Sequence, residues 1–149
     1  METRILRHFD WELKKDFVPS LPVELNNKEV ELILILKRFP RMPMSFYGNE
    51  VQLERGSFTY LSGLLQTKGI IMKLDNLNDS RSSLLELTAH GNDLAHEIRR
   101  QLEEHIHRRL AVFSEHDRMQ LEFVIETTKY LLSKLAEKPF LEMRRDDEL

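Results

Sequence analysis

One guanidinium, Arg81, stands in the polar run Asp75-Asn76-Leu77-Asn78-Asp79-Ser80-Arg81-Ser82-Ser83, and apolar runs at 70–74 and 84–87 flank it. Asp, Asn and Ser favour turns over strands or helices, so the pattern predicts a β-hairpin with a long charged tip. A guanidinium at such a tip has the shape and charge to enter a narrow minor groove of DNA, where the potential is most negative. The plainer reading is a solvent-exposed pair of Asp79 and Arg81, which would contribute little. A turn of Asn, Asp and Ser forms without any arginine, and that favours a role for Arg81.

A second possible chemistry is metal ligation by His96, His105 and His107 with Glu103 and Glu104. His105 and His107 are two apart, which puts them on different sides of a helix. Glu103 and Glu104 each share a face with His107, but two ligands do not make a site, and no metal is expected. Titratable surface histidines are the simpler account. The chain has no Gly-rich phosphate loop, no nucleophile elbow and no cysteine, so neither an enzyme nor a bound cofactor is expected.

The elements that must position Arg81 lie on both sides of the hairpin. Gly69 ends the preceding segment in the manner of a helix C-cap, and Thr88 can cap the next helix. The preceding helix is predicted at about 57–68, with Phe58, Leu61 and Leu65 spaced to face a core and Ser57, Thr59, Tyr60 and Gly63 on the other face. An α-helix fits the DNA major groove, and hydroxyls in its N-terminal half can reach base edges or phosphates. Before it, Ser45 is expected to cap a short helix ending at Leu53, and Glu54-Arg55-Gly56 to form a turn. Helix, turn, helix, hairpin, helix is the outline of a winged helix-turn-helix.

On these residues the chain resembles the MarR (multiple antibiotic resistance regulator) family. Asp79-Ser80-Arg81 followed by Leu87-Thr88 and Gly91 looks like the family's wing signature, and Leu65, Lys68, Gly69, Ile70 and Ile71 resemble its passage from recognition helix to wing. The resemblance covers roughly residues 25–135. It implies a mainly α fold with a small β-hairpin wing, a winged helix-turn-helix with N- and C-terminal dimerisation helices. It also implies that Asp79 orients Arg81 and that Lys73 touches the DNA backbone. The candidate DNA-binding set is Arg81, Asp79, Ser80 and Lys73 in the wing, with Arg55, Ser57, Thr59, Tyr60 and Gly63 on the helix and its approach. The chain departs from the family at Tyr60 and Leu64, where many members have arginine. The resemblance further implies a small aromatic or phenolic effector bound between the DNA-binding and dimerisation parts. Trp11, Phe17, Phe46 and Tyr47 could line such a pocket, but they fit a core at least as well.

The remaining chain fits this outline. Ile5, Phe9, Leu13 and Phe17 are four apart and predict a first helix, which Pro19 and Pro22 end. Residues 32–36 are all apolar and fit a buried strand as well as a helix; Asn26 as cap, Glu29 three residues on and the flanking charges favour helix. Pro40 and Pro43 end it. Leu94, Ile98, Leu102, Ile106 and Leu110 repeat every four residues, predicting a helix of about seven turns, too long for one small domain to cover. Ser114-Glu115-His116-Asp117 restarts a helix in capping-box style, with Leu121, Val124, Ile125, Thr128, Leu131, Leu132 and Leu135 on its apolar face. These wide stripes predict a homodimer. The division expected is one domain over 1–149, with 26–90 as the DNA-binding part and 1–25 and 91–149 as the dimerisation part.

A chain of 149 residues can bury a core without staples, and the lack of cysteine excludes disulfides and thiol redox sensing. Its net charge of −3, with 32% charged residues, means that a local basic face must carry any DNA contact. No apolar run approaches the ~20 residues of a membrane span, and the start lacks the apolar core of a signal peptide, so a cytoplasmic protein without membrane contact is expected. The function these features predict is that of a sequence-specific DNA-binding transcription regulator, a homodimeric repressor of a pseudo-palindromic operator. The alternatives are a winged-helix protein-interaction module with little DNA binding and a metal-responsive regulator of the same fold.

Overall fold

A computed structural model describes residues 2–76 and 83–136. The chain divides into two compact units, Met1–Ile106 and His107–Leu149. The elements in order are α1 (Glu2–Lys14), α2 (Asn27–Arg38), β1 (Met42–Pro43), α3 (Met44–Glu50), α4 (Arg55–Thr67), β2 (Ile71–Asp75), β3 (Ser83–Leu87), α5 (Ala89–Leu110) and α6 (Glu115–Ala136). The mainly helical fold with a hairpin wing agrees with the sequence reading.

In the first unit the apolar segment after Asn26 is a helix, and its cap shows why. The Asn26 side chain accepts from the Glu29 amide at 2.9 Å. In return the Glu29 carboxylate accepts from the Asn26 amide at 2.8 Å. This reciprocal pair starts a helix and has no role in a strand. Val30, Leu32, Ile33 and Leu36 are buried, and Leu34 and Ile35 pack against the same core, so apolar residues occupy nearly every side of α2. That all-round burial removes the periodicity by which a helix is normally told from a strand.

The sheet is three-stranded and antiparallel, in the order β1-β3-β2. Strand β1 goes beyond the sequence reading, in which Pro40 and Pro43 only stop a helix. Pro43 is tolerated there because β1 is an edge strand. Tyr47, fully buried, holds the turn before it: its hydroxyl donates to the Phe39 carbonyl at 2.5 Å and accepts from the Met42 amide at 3.0 Å. Burial pushes the Tyr47 phenol above its ordinary value.

Two boundaries differ from expectation. Ser45 is not a cap: α3 begins at Met44 behind Pro43, whose fixed φ suits the approach to a helix, and no side-chain cap bond forms. Arg55 and Gly56 are not in the turn but in the first turn of α4, where amides lack intrahelical partners and a glycine costs little. The chain reverses instead over residues 51–54, with Gln52 in the left-handed region and the Leu53 amide bonded to the Gly48 carbonyl.

The passage from α4 to the wing follows the sequence reading closely. Gly69 has φ +68°. The Gly69 amide bonds the Gln66 carbonyl and the Ile70 amide bonds the Leu65 carbonyl, which closes a Schellman motif. Strands β2 and β3 pair from Ile71 with Leu87 to Asp75 with Ser83. Thr88 then caps α5, its hydroxyl accepting from the Gly91 amide at 3.0 Å and donating to the Gly69 carbonyl at 2.6 Å, as a side-chain oxygen at a helix start can. Gly91 is required by closeness: a Cβ there would lie 2.0 Å from the Ile70 carbonyl oxygen.

The segment between α1 and α2 is fixed to α5. Gln101 accepts from the Ser20 amide and donates to the Ser20 carbonyl, both at 2.8 Å, and the His105 ring lies 3.0 Å from the Lys15 carbonyl oxygen and against Phe17. In the second unit Ser114 and Asp117 form the expected capping pair, Asp117 receiving the Ser114 amide at 3.1 Å and the Ser114 hydroxyl at 2.6 Å. Those bonds hold the Asp117 carboxyl below its ordinary value.

Candidate nucleic-acid interface

Helix α4 buries Phe58, Leu61, Ser62 and Leu65, as a stripe recurring every three to four residues must. The opposite arc carries Arg55, Ser57, Thr59 and Tyr60, all exposed, and half-buried Gly63. On β2, Lys73 is exposed and pairs with Leu85. Arg55, Thr59 and Lys73 line one cleft of about 490 Å³ between α3, α4 and the wing strands. Its apolar lining is Met44, Gly48, Leu53 and Phe58; Ser45, Asn49 and Ser83 add hydroxyls and an amide. These last three lie outside the set inferred from sequence; the only signal was that Ser45 and Asn49, four apart, share a helix face. Asp79, Ser80 and Arg81 lie outside the described residues.

Most other cations near this face are committed within the fold. Lys28 bonds Glu31 and the Val51 carbonyl, Lys37 bonds Asn92, and Arg41 pairs with Glu86 at 3.1 Å. Arg38 lies over the Phe39 ring. Lys68 pairs with Glu29 at 2.6 Å and also bonds the Glu24 carbonyl, so the end of α4 is tied to the start of α2. Glu29 is only 2% exposed, and without Lys68 its charge would be buried unpaired. The side chains of Arg55 and Lys73 have no ion-pair or hydrogen-bonding partner among the described residues. Two such cations facing one cleft form a place for an anion.

Among the described residues there is no group of three or more His, Asp or Glu side chains able to hold a metal, and no helix is long and apolar enough to cross a membrane. No protein-family model matches the chain, and no curated protein matches it. Solved structures do. MarR of Escherichia coli in its apo form superposes with a TM-score of 0.66 at 16% identity, over 85% of this chain and 92% of that one. FabT of Streptococcus pneumoniae, solved in complex with DNA, gives 0.63 at 20% identity, over 89% and 90%. The chain has the MarR-family fold. PcaV of Streptomyces coelicolor, solved with its natural ligand, has the same MarR-type fold with a TM-score of 0.57 at 20% identity, over 85% and 88%. Within that fold α3 and α4 form the helix-turn-helix and β2 and β3 the wing.

Proposed function

We propose that the chain is a sequence-specific DNA-binding transcription regulator acting as a homodimer. One observation carries the reading: the exposed arc of α4 borders a cleft holding Arg55 and Lys73, the two cations of this face left without partners among the described residues. A phosphate strand passing between α4 and the wing would supply the anion. Here α4 enters the major groove with Ser57, Thr59, Tyr60 and Gly63, and the wing reaches the flanking minor groove through Arg81, with Asp79 and Ser80 beside it. FabT, a protein of the same fold solved in complex with DNA, supports DNA as the partner.

Dimerisation rests on α6, where Phe123, Val124, Tyr130 and Leu131 are exposed apolar residues in the single chain. Residues 26–90 then form the DNA-binding part, and 1–25 with 91–149 the dimerisation part. Two-fold symmetry calls for half-sites about one helical turn apart. Repression relieved by a small aromatic or phenolic molecule completes the reading; the ligand complex of PcaV supports an effector in a protein of this fold. Such a ligand must bind one spacing of the two recognition elements better than the other.

The test is a salt titration of duplex binding. Affinity should fall steeply as salt rises, and Arg55→Ala and Lys73→Ala should each lower the log–log slope by about one. A flat response in the wild type would instead favour the protein-interaction module, a reading motivated by how many cations here are internally paired.

A further inference from the structure

The surface of α4 also says which bases it can read, granted the DNA-binding reading above. Guanine is recognised in the major groove by Arg or Lys bonding O6 and N7, adenine by the carboxamide of Asn or Gln, and thymine by apolar contact with its methyl group. From Arg55 to Thr67 the helix contains no asparagine and no lysine. Its one guanidinium, Arg55, is in the first turn and lines the cleft with Lys73, where a phosphate is the natural partner. Its one carboxamide, Gln66, is half-buried and donates to the Ser62 carbonyl at 3.1 Å.

Apart from the exposed hydroxyls of Ser57 and Tyr60, what remains is apolar or has its donor engaged. The Thr59 hydroxyl donates to the Arg55 carbonyl at 2.8 Å and that of Thr67 to the Gly63 carbonyl at 3.0 Å, so both hydrogens are committed and the side chains present their methyls and an accepting oxygen. Tyr60 is 70% exposed with no ring contact or hydrogen bond among the described residues. Leu64, half-buried, follows it by four residues and extends the same face. A Cβ at Gly56 or Gly63 would meet nothing within 4 Å, so a base edge can approach the backbone closely between these side chains.

We infer that α4 reads thymine methyl groups, with Tyr60 as the principal specificity-determining residue, and that the half-site positions facing it are A·T pairs. Thymine carries its methyl in the major groove, so the wing, which addresses the minor groove, does not contribute to this discrimination.

The experiment selects bound duplexes from a random library with the wild-type protein, then replaces each thymine of the enriched half-site in turn by uracil, which removes only the methyl. Wild type should enrich A·T pairs and lose about fourfold in affinity at the uracil facing Tyr60, the effect of one buried methyl. Tyr60→Phe should keep that sensitivity. Tyr60→Ala, which removes an exposed ring and leaves the fold intact, should bind thymine and uracil equally at that position. G·C pairs enriched at the helix-facing positions, or a wild type indifferent to every uracil, overturns the inference while DNA binding stands. No enrichment at all would remove the DNA-binding reading and this inference with it.

Discussion

Helix α4 hides Phe58, Leu61 and Leu65 in the core and turns hydroxyls, glycines and one tyrosine outward, whereas α6 leaves Phe123, Val124, Tyr130 and Leu131 in solvent. Both helices carry apolar residues, and those of α4 are covered within the first unit while the named positions of α6 are exposed. The difference separates two kinds of partner. An outer face of hydroxyls beside two cations without partners among the described residues suits a polar, anionic surface, while exposed apolar positions on α6 suit a matching helix from a second copy.

That contrast is most easily broken at α6. Val124→Glu with Leu131→Glu, seven apart and so on one helix face, should convert the proposed dimer to single chains in analytical ultracentrifugation while the first unit stays folded. The expected particle mass is then that of one chain, 17.8 kDa. A double variant that keeps the dimer mass would mean that α6 is not the seam.

At the other end of the contrast, Lys68→Met leaves Glu29 buried without its cation and should cost about 3–5 kcal/mol of stability in urea unfolding. If Glu29→Gln is then combined with it, most of that loss should return, because no charge remains buried. Thr88→Val removes the cap of α5 and the bond to Gly69 and should cost about 1 kcal/mol in the same assay.

The smallest effect is a pH dependence confined to the second unit. Bonds from Ser114 hold the Asp117 carboxyl below its ordinary range, so the folded-state value is the lower one. Its contribution is therefore fully present above the ordinary carboxylate pKa of about 3.9 and is lost as pH falls through the depressed value. Ser114→Ala should flatten that acid dependence in circular-dichroism melts, and an unchanged profile would remove the capping pair as its cause.

The parts legible in the sequence are those fixed by neighbours in sequence. Asn26 with Glu29, Gly69, Thr88 and Ser114 with Asp117 each satisfy their bonds within a few residues or at an element boundary, so residue type and spacing announce them. What is not legible depends on partners far along the chain. The edge strand β1 exists because Met42 and Pro43 meet Leu85 and Leu84, and Tyr47 ties that strand to the end of α2. The turn at 51–54 is misplaced by sequence because Gly56 looks like a breaker until its place in a first helical turn is known. The pairing of Lys68 with Glu29 spans 39 residues and commits that cation within the fold. For the candidate site, the exposure of Ser57, Thr59, Tyr60 and Lys73 follows from periodicity and hairpin register. The meeting of Arg55 with Lys73 in one cleft required the fold.

The most direct measurement is selection from a random duplex library at moderate salt, run in parallel with wild type and Arg81→Ala. A dimer that reads DNA through helix and wing should enrich an inverted repeat with half-sites about one helical turn apart, and Arg81→Ala should weaken or lose that enrichment. Absence of an enriched repeat for the wild type, or an identical repeat at equal strength for both proteins, would contradict it.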